Sequence, residues 1–63
     1  MQDFQQRVVD ERDELAAKTS KLAAFVNSDR FQSADVDEID RMLRQYGVML
    51  KYQAILNERI AAF

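Results

Sequence analysis

Cysteine, histidine, proline and tryptophan are absent from this 63-residue chain, and glycine occurs once, at Gly47. Without cysteine there are no disulfides, thiolate metal sites or cysteine nucleophiles. Without histidine the commonest metal ligand and the commonest general base near neutral pH are missing. No metal or cofactor is expected, and most enzyme classes lose their usual parts. A surplus of positive charge is also lacking: eleven acidic residues against nine basic ones give a net charge of -2 and a pI near 4.9. No sequence-wide field then draws the chain to a phosphate backbone, so a nucleic-acid polymer is not an expected partner. Apolar runs extend only a few residues, short of the roughly 20 that span a bilayer, and Met1-Gln2-Asp3-Phe4 offers neither a basic nor an apolar leader segment. The expectation is one soluble, cytoplasmic domain over residues 1–63 that does not engage membranes.

What is present is helix-forming sequence. Residues 2–27 are rich in Ala, Leu, Glu, Gln, Lys and Arg with no breaker, which predicts a helix closed by Asn27 and Ser28. The sole cluster of turn and cap residues covers 28–33. A second helix is predicted over 34–62, capped by Ser33 in preference to Asp35, although Asp35-Val36-Asp37-Glu38 has the form of a capping box. Acidic residues at 35, 37, 38 and 40 complement the positive end of its dipole.

Seven-residue spacing joins Val8, Leu15 and Leu22 on the first helix, with Phe4, Glu11, Lys18 and Phe25 on the alternate seam position. On the second helix Ile39, Met42, Tyr46, Met49, Gln53, Leu56 and Ile60 alternate by three and four, which is a helix-packing face. A short connection makes the two helices antiparallel neighbours, with partners whose numbers sum to about 64. Phe4 is then expected opposite Ile60, Leu15 opposite Met49, Glu11 opposite Gln53 and Lys18 opposite Tyr46. The fold class expected is all-α: an antiparallel two-helix hairpin.

Such a hairpin is too small to bury all of its apolar surface, and chains below about 70 residues without disulfide or metal gain little stability from their own core. Val48, Tyr52 and Ile55 form a second apolar stripe on helix two. Val9, Ala16 and Ala23 broaden the face of helix one. Gly47, costly in a helix interior, hints at close approach by another backbone. These residues are the candidate interface of a homodimer or higher even-numbered oligomer, so self-association into a helical bundle is expected.

Carboxylates are the only acid or base groups available, and Asp10, Glu11, Asp13 and Glu14 read as a solvated, ion-paired face rather than a catalytic pair. The protein is therefore not expected to be an enzyme. Residues 41–63 carry four basic side chains and one acidic, a local surplus of +3 inside an acidic chain. Arg44, Lys51 and Arg59 beside Tyr52, with Arg7 and Lys18 of helix one as partners, are the candidate ligand site, because Arg offers planar donor forks to phosphate and Tyr a ring to stack on. The competing reading is that the cations of helix two, Arg41 among them, answer the acidic residues 10–14 of helix one.

The run Gln6-Arg7-Val8-Val9, Glu11, Glu14-Leu15, Lys18, Leu22-Ala23-Ala24-Phe25, then Phe31, Leu43, Gln45, Met49, Tyr52, Ile55-Leu56 and Arg59-Ile60 resembles a family of very small helical proteins of tailed phages and prophages, the crAss-phage-related small-protein family. Nearly the whole chain takes part. The resemblance implies a phage accessory protein. By architectural analogy with oligomeric anti-CBASS sponges, it implies counter-defence by sequestering a phosphate-bearing cyclic nucleotide between protomers. A helical module that grips and blocks a host protein through the Val48/Tyr52/Ile55 stripe, or a purely structural oligomer, are the alternatives.

Overall fold

The computed structural model describes residues 2–63, and among them all regular structure is helical: α1 (Asp3–Val26), α2 (Asp29–Gln32) and α3 (Val36–Ala61). At the start of α1 the Gln2 amide donates to Gln5 Oε1 at 2.8 Å, using one of the amides that a helix start leaves unpaired. Its end is closed by side chains. Asn27 Nδ2 donates to the Ala23 carbonyl at 2.8 Å and Ser28 Oγ to the Phe25 carbonyl at 2.6 Å. The connection is not a simple turn, because residues 29–32 form the short helix α2, and Phe31 sets its ring edge-on to Phe25 at 6.1 Å. The cap of α3 is Asp35, not Ser33: the Asp35 carboxylate accepts from the Asp37 amide at 3.1 Å, and the carboxylate also suits the positive end of the dipole.

α1 and α3 lie side by side with opposite chain directions, in a body 45 × 15 × 14 Å. Two contacts fix their register. Phe4 meets Phe63 ring edge to ring at 5.9 Å, and Arg12 Nη1 donates to Asn57 Oδ1 at 3.0 Å. Phe4 therefore meets the chain three residues beyond Ile60, the partner expected from the sequence, just past the end of α3. The helical turn taken by α2 and the later start of α3 account for this slip, which leaves the first turn of α3 overhanging and Val36 exposed.

The face of α1 is also rotated from the expected one. Glu11 and Lys18 are exposed, while Arg12 is half-buried and Thr19 buried. Burying the first pair strips two charges of water. The second pair is cheaper to bury: Arg12 lays its stem in the seam with its head on Asp13 and Asn57, and the Thr19 hydroxyl returns to the Leu15 carbonyl at 2.8 Å. The expected Glu11–Gln53 layer does not form, and Gln53 Oε1 is buried without a hydrogen-bond partner among the described residues. The apolar core is Val8, Leu15 and Leu56, with Met49 and Ile60 packed against it; among the described residues only Leu56, at 1% exposure, is fully enclosed.

Candidate functional site

The small core leaves most of α3 outside it. Val48 is 65% exposed, and Tyr52 and Ile55 stand open beside it on one flank of the helix. At the start of that flank lies an open depression of about 400 Å³ lined by Arg41, Arg44, Gln45, Val48 and Met49. Helical spacing builds it: residues 41, 45 and 48 fall on one line, with 44 and 49 bordering it. Gln45 Nε2 reaches the Met49 sulfur at 3.8 Å, so the floor is a thioether and a valine. The two guanidinium groups stand at the rim. Arg41 Nε donates to Glu38 at 2.8 Å and Arg44 Nε to Asp40 at 2.9 Å, both exposed pairs one turn back on the same helix. Exposed pairs of this kind contribute about 0–1 kcal/mol, so either arginine is free to exchange its carboxylate for a phosphate.

The reading that these cations answer the acidic run of α1 is not what the structure gives. Among the described residues no ion pair links α1 to α3; Asp10 accepts from Gln6 and Asp13 pairs with Arg12, both within α1. Of the candidate ligand residues, Arg44 lines the depression, Tyr52 lies one turn beyond Val48, and Lys51 and Arg59 are exposed further along α3. Arg7 and Lys18 are exposed on α1. In antiparallel helices the flanks with the same rotational sense share a side, which puts Lys18 and Arg7 on the side of Val48 and Tyr52. The register sets Lys18 level with about residues 49–51 and Arg7 near the far end, by Arg59. Gln45 and Met49 were not singled out for this site from the sequence; the three-and-four spacing from Arg41 is the signal that finds them.

The candidate interface residues divide. Val48, Tyr52 and Ile55 share the flank just described. Val9, Ala16 and Ala23 lie on the opposite flank of α1, half-covered by α3, and the half-buried Gly47 is on the flank of α3 that shares their side. The two groups lie on different sides of the molecule and do not form one continuous patch.

Over residues 2–62 the chain matches the family model described as Sequestin. The chain belongs to the Sequestin family. The chain is 35% identical over 60 residues to an uncharacterized 7.5 kDa protein of the denB-rIIB intergenic region of Enterobacteria phage T4, covering 95% of this chain and 94% of the relative. Both findings support a small phage protein, without singling out the crAss-phage-related family. No solved structure matches the Sequestin chain. None of its described helices is long and apolar enough to cross a membrane.

Proposed function

We propose that this Sequestin-family protein is a non-enzymatic phage accessory protein of the host cytoplasm. In this reading its helical hairpins self-associate, and the assembly counters host defence by binding and holding a phosphate-bearing cyclic nucleotide signal. The observation that carries the reading is the depression on α3, where two exchangeable guanidinium groups border an apolar floor. A volume of about 400 Å³ lies within the usual range of small-ligand sites. Arg forks take phosphate oxygens bidentately, while Val48, Met49 and the nearby Tyr52 ring offer apolar and stacking surface to a base or ribose. The depression is open, so one copy covers a ligand from one side only. The family name points to sequestration, and the T4 relative to a phage setting. Binding without turnover removes a signal in proportion to the protein made, so no acid, base or metal is needed.

The exposed Val48/Tyr52/Ile55 stripe favours a second reading, in which it grips a host protein. Thermal melts with a panel of cyclic di- and trinucleotides and ADP-ribose derivatives separate the two. Sequestration predicts that one ligand raises the melting temperature with increasing concentration, and that Arg41→Ala with Arg44→Ala abolishes the rise. Indifference to every nucleotide, with one host polypeptide enriched in a pulldown, favours the second reading.

A further inference from the structure

We infer that the flank of α3 turned away from Val48 is a two-fold interface with a second antiparallel copy of this chain, centred between Val48 and Met49 in sequence and built on Leu43, Gly47, Leu50 and Ala54. This extends the self-association in the proposed function and requires no ligand. The four residues follow one another by four, three and four, the repeat that lines up one face of a helix for another. Large and small alternate along it. When two such faces are laid antiparallel, each Leu50 falls on the Gly47 of the other copy and each Leu43 on its Ala54. The same symmetry extends outward, bringing Asp40 level with Asn57 and Val36 level with Ala61. Asn57 spends its amide oxygen on Arg12 and keeps its NH2 donors for the Asp40 carboxylate. A parallel pairing instead sets leucine on leucine and leaves a gap at Gly47.

Three independent observations support a second copy as the occupant. Leu43 and Leu50 are 49% and 45% exposed, and nothing within the chain covers them further. Gly47 has no reason of its own to be glycine. Its φ is not positive, and a Cβ built there meets nothing within 4 Å, although alanine is the better helix former. The chain's surface is 4825 Å², whereas a compact monomer of this mass exposes about 4,200 Å² by the usual scaling. The excess of roughly 600 Å² is close to the roughly 800 Å² that each partner buries in a standard interface. One cost is built in. Arg44 and Lys51 follow the two leucines, so those of both copies gather along one edge, and added salt or pyrophosphate should tighten the dimer by relieving their repulsion.

Because the chain has no cysteine, Leu43→Cys combined with Ala54→Cys tests the pairing directly. The two positions are about 16 Å apart along one helix, too far to join within a chain. Mild oxidation should give one covalent species of twice 7.4 kDa, closed by two reciprocal bridges, while Val48→Cys with Ile55→Cys should not. Chains that stay single, or that form a ladder of multimers, overturn the proposal. In light scattering, Gly47→Leu should raise the dissociation constant by about 100-fold or more while helical circular dichroism is retained. An unchanged mass overturns the proposal, and if that variant unfolds the cross-link decides. Neither readout uses a nucleotide, so failure here and failure of the sequestration reading are told apart.

Discussion

Among the described residues Leu56 is the one side chain enclosed completely, at 1% exposure against Val8 and Leu15. Leu56→Ala removes three heavy atoms at the point where α1 and α3 are closest packed. Leu→Ala substitutions at buried sites cost about 2–5 kcal/mol, the sum of lost transfer energy and the cavity left behind. Here Met49 and Ile60 border the site and are only partly buried, so they can shift into the space, and the lower half of that range, about 3 kcal/mol, is the expected loss. A chain of this length is stable by about 3–9 kcal/mol at the usual 0.05–0.15 kcal/mol per residue, so the variant loses a third of its stability at the least. Urea unfolding followed by circular dichroism reads this as a midpoint lowered by about 2–3 M, taking a slope near 1 kcal/mol/M. The loss should be equal at low and high protein concentration, since Leu56 stabilises the fold of each chain. Val48→Ala, on an exposed flank, should cost less than about 0.5 kcal/mol at low concentration. A loss below about 1 kcal/mol at Leu56, or one that vanishes as protein concentration rises, refutes the assignment of the core to the Val8/Leu15/Leu56 cluster.

Asp35→Ala should cost about 1 kcal/mol in the same assay by removing the cap on the Asp37 amide, while Ser33→Ala should change stability by no more than a few tenths. Gln53→Met should stabilise the isolated chain by about 1 kcal/mol, because it replaces a buried amide oxygen that has no partner; a destabilised variant would mean that Gln53 is satisfied in the assembled protein. Thr19→Val should stay within about 1 kcal/mol of the parent, since the hydroxyl only returns to its own helix at Leu15, whereas Thr19→Lys should be strongly destabilising in thermal melts. Arg41→Gln with Arg44→Gln should cost the free protein no more than about 1 kcal/mol, since only exposed pairs are lost, and weaken binding of a phosphate-bearing ligand by at least about tenfold in titration calorimetry.

Periodicity carried the helices because every residue of a helix votes on it. The all-helical character, the apolar line through Met49, Leu56 and Ile60, and the role of Asn27 and Ser28 at the end of α1 were all legible in this way. Phase was harder to read on α1, where the apolar residues are too sparse to choose between two adjacent lines. Phe4, Val8, Leu15, Leu22 and Phe25 suggested a line through Glu11 and Lys18. The structure takes the next one over, through Arg12 and Thr19, because a long stem and a self-satisfied hydroxyl bury more cheaply than two point charges. The register slip has a similar origin. Ser28 to Ser33 looks like turn chemistry residue by residue, and the helical turn inside it depends on Phe31 finding Phe25, a contact that no local propensity encodes. For the candidate site, the arginines were visible as a charge surplus, but the Gln45 and Met49 floor was not, since neither residue stands out until α3 has a fixed face toward solvent.

Among the described residues three apolar side chains are buried and eight large apolar ones are exposed, which leaves much apolar surface for a partner to cover. If the Leu43/Gly47/Leu50/Ala54 flank of α3 is closed by a second copy, the flank bearing Arg41, Arg44 and Val48 stays open, because the two lie on different sides of the same helix. Assembly then stabilises the fold without occupying the groove. It also brings the Arg44 and Lys51 groups of two chains along a common edge, where their mutual repulsion falls once an anion sits between them. Folding, dimerisation and anion binding are in that case linked equilibria, each drawing the others forward. A protein that acts by holding its ligand instead of turning it over must be made in amounts comparable to that ligand, and a fold coupled to assembly in this way would be most populated at high protein concentration.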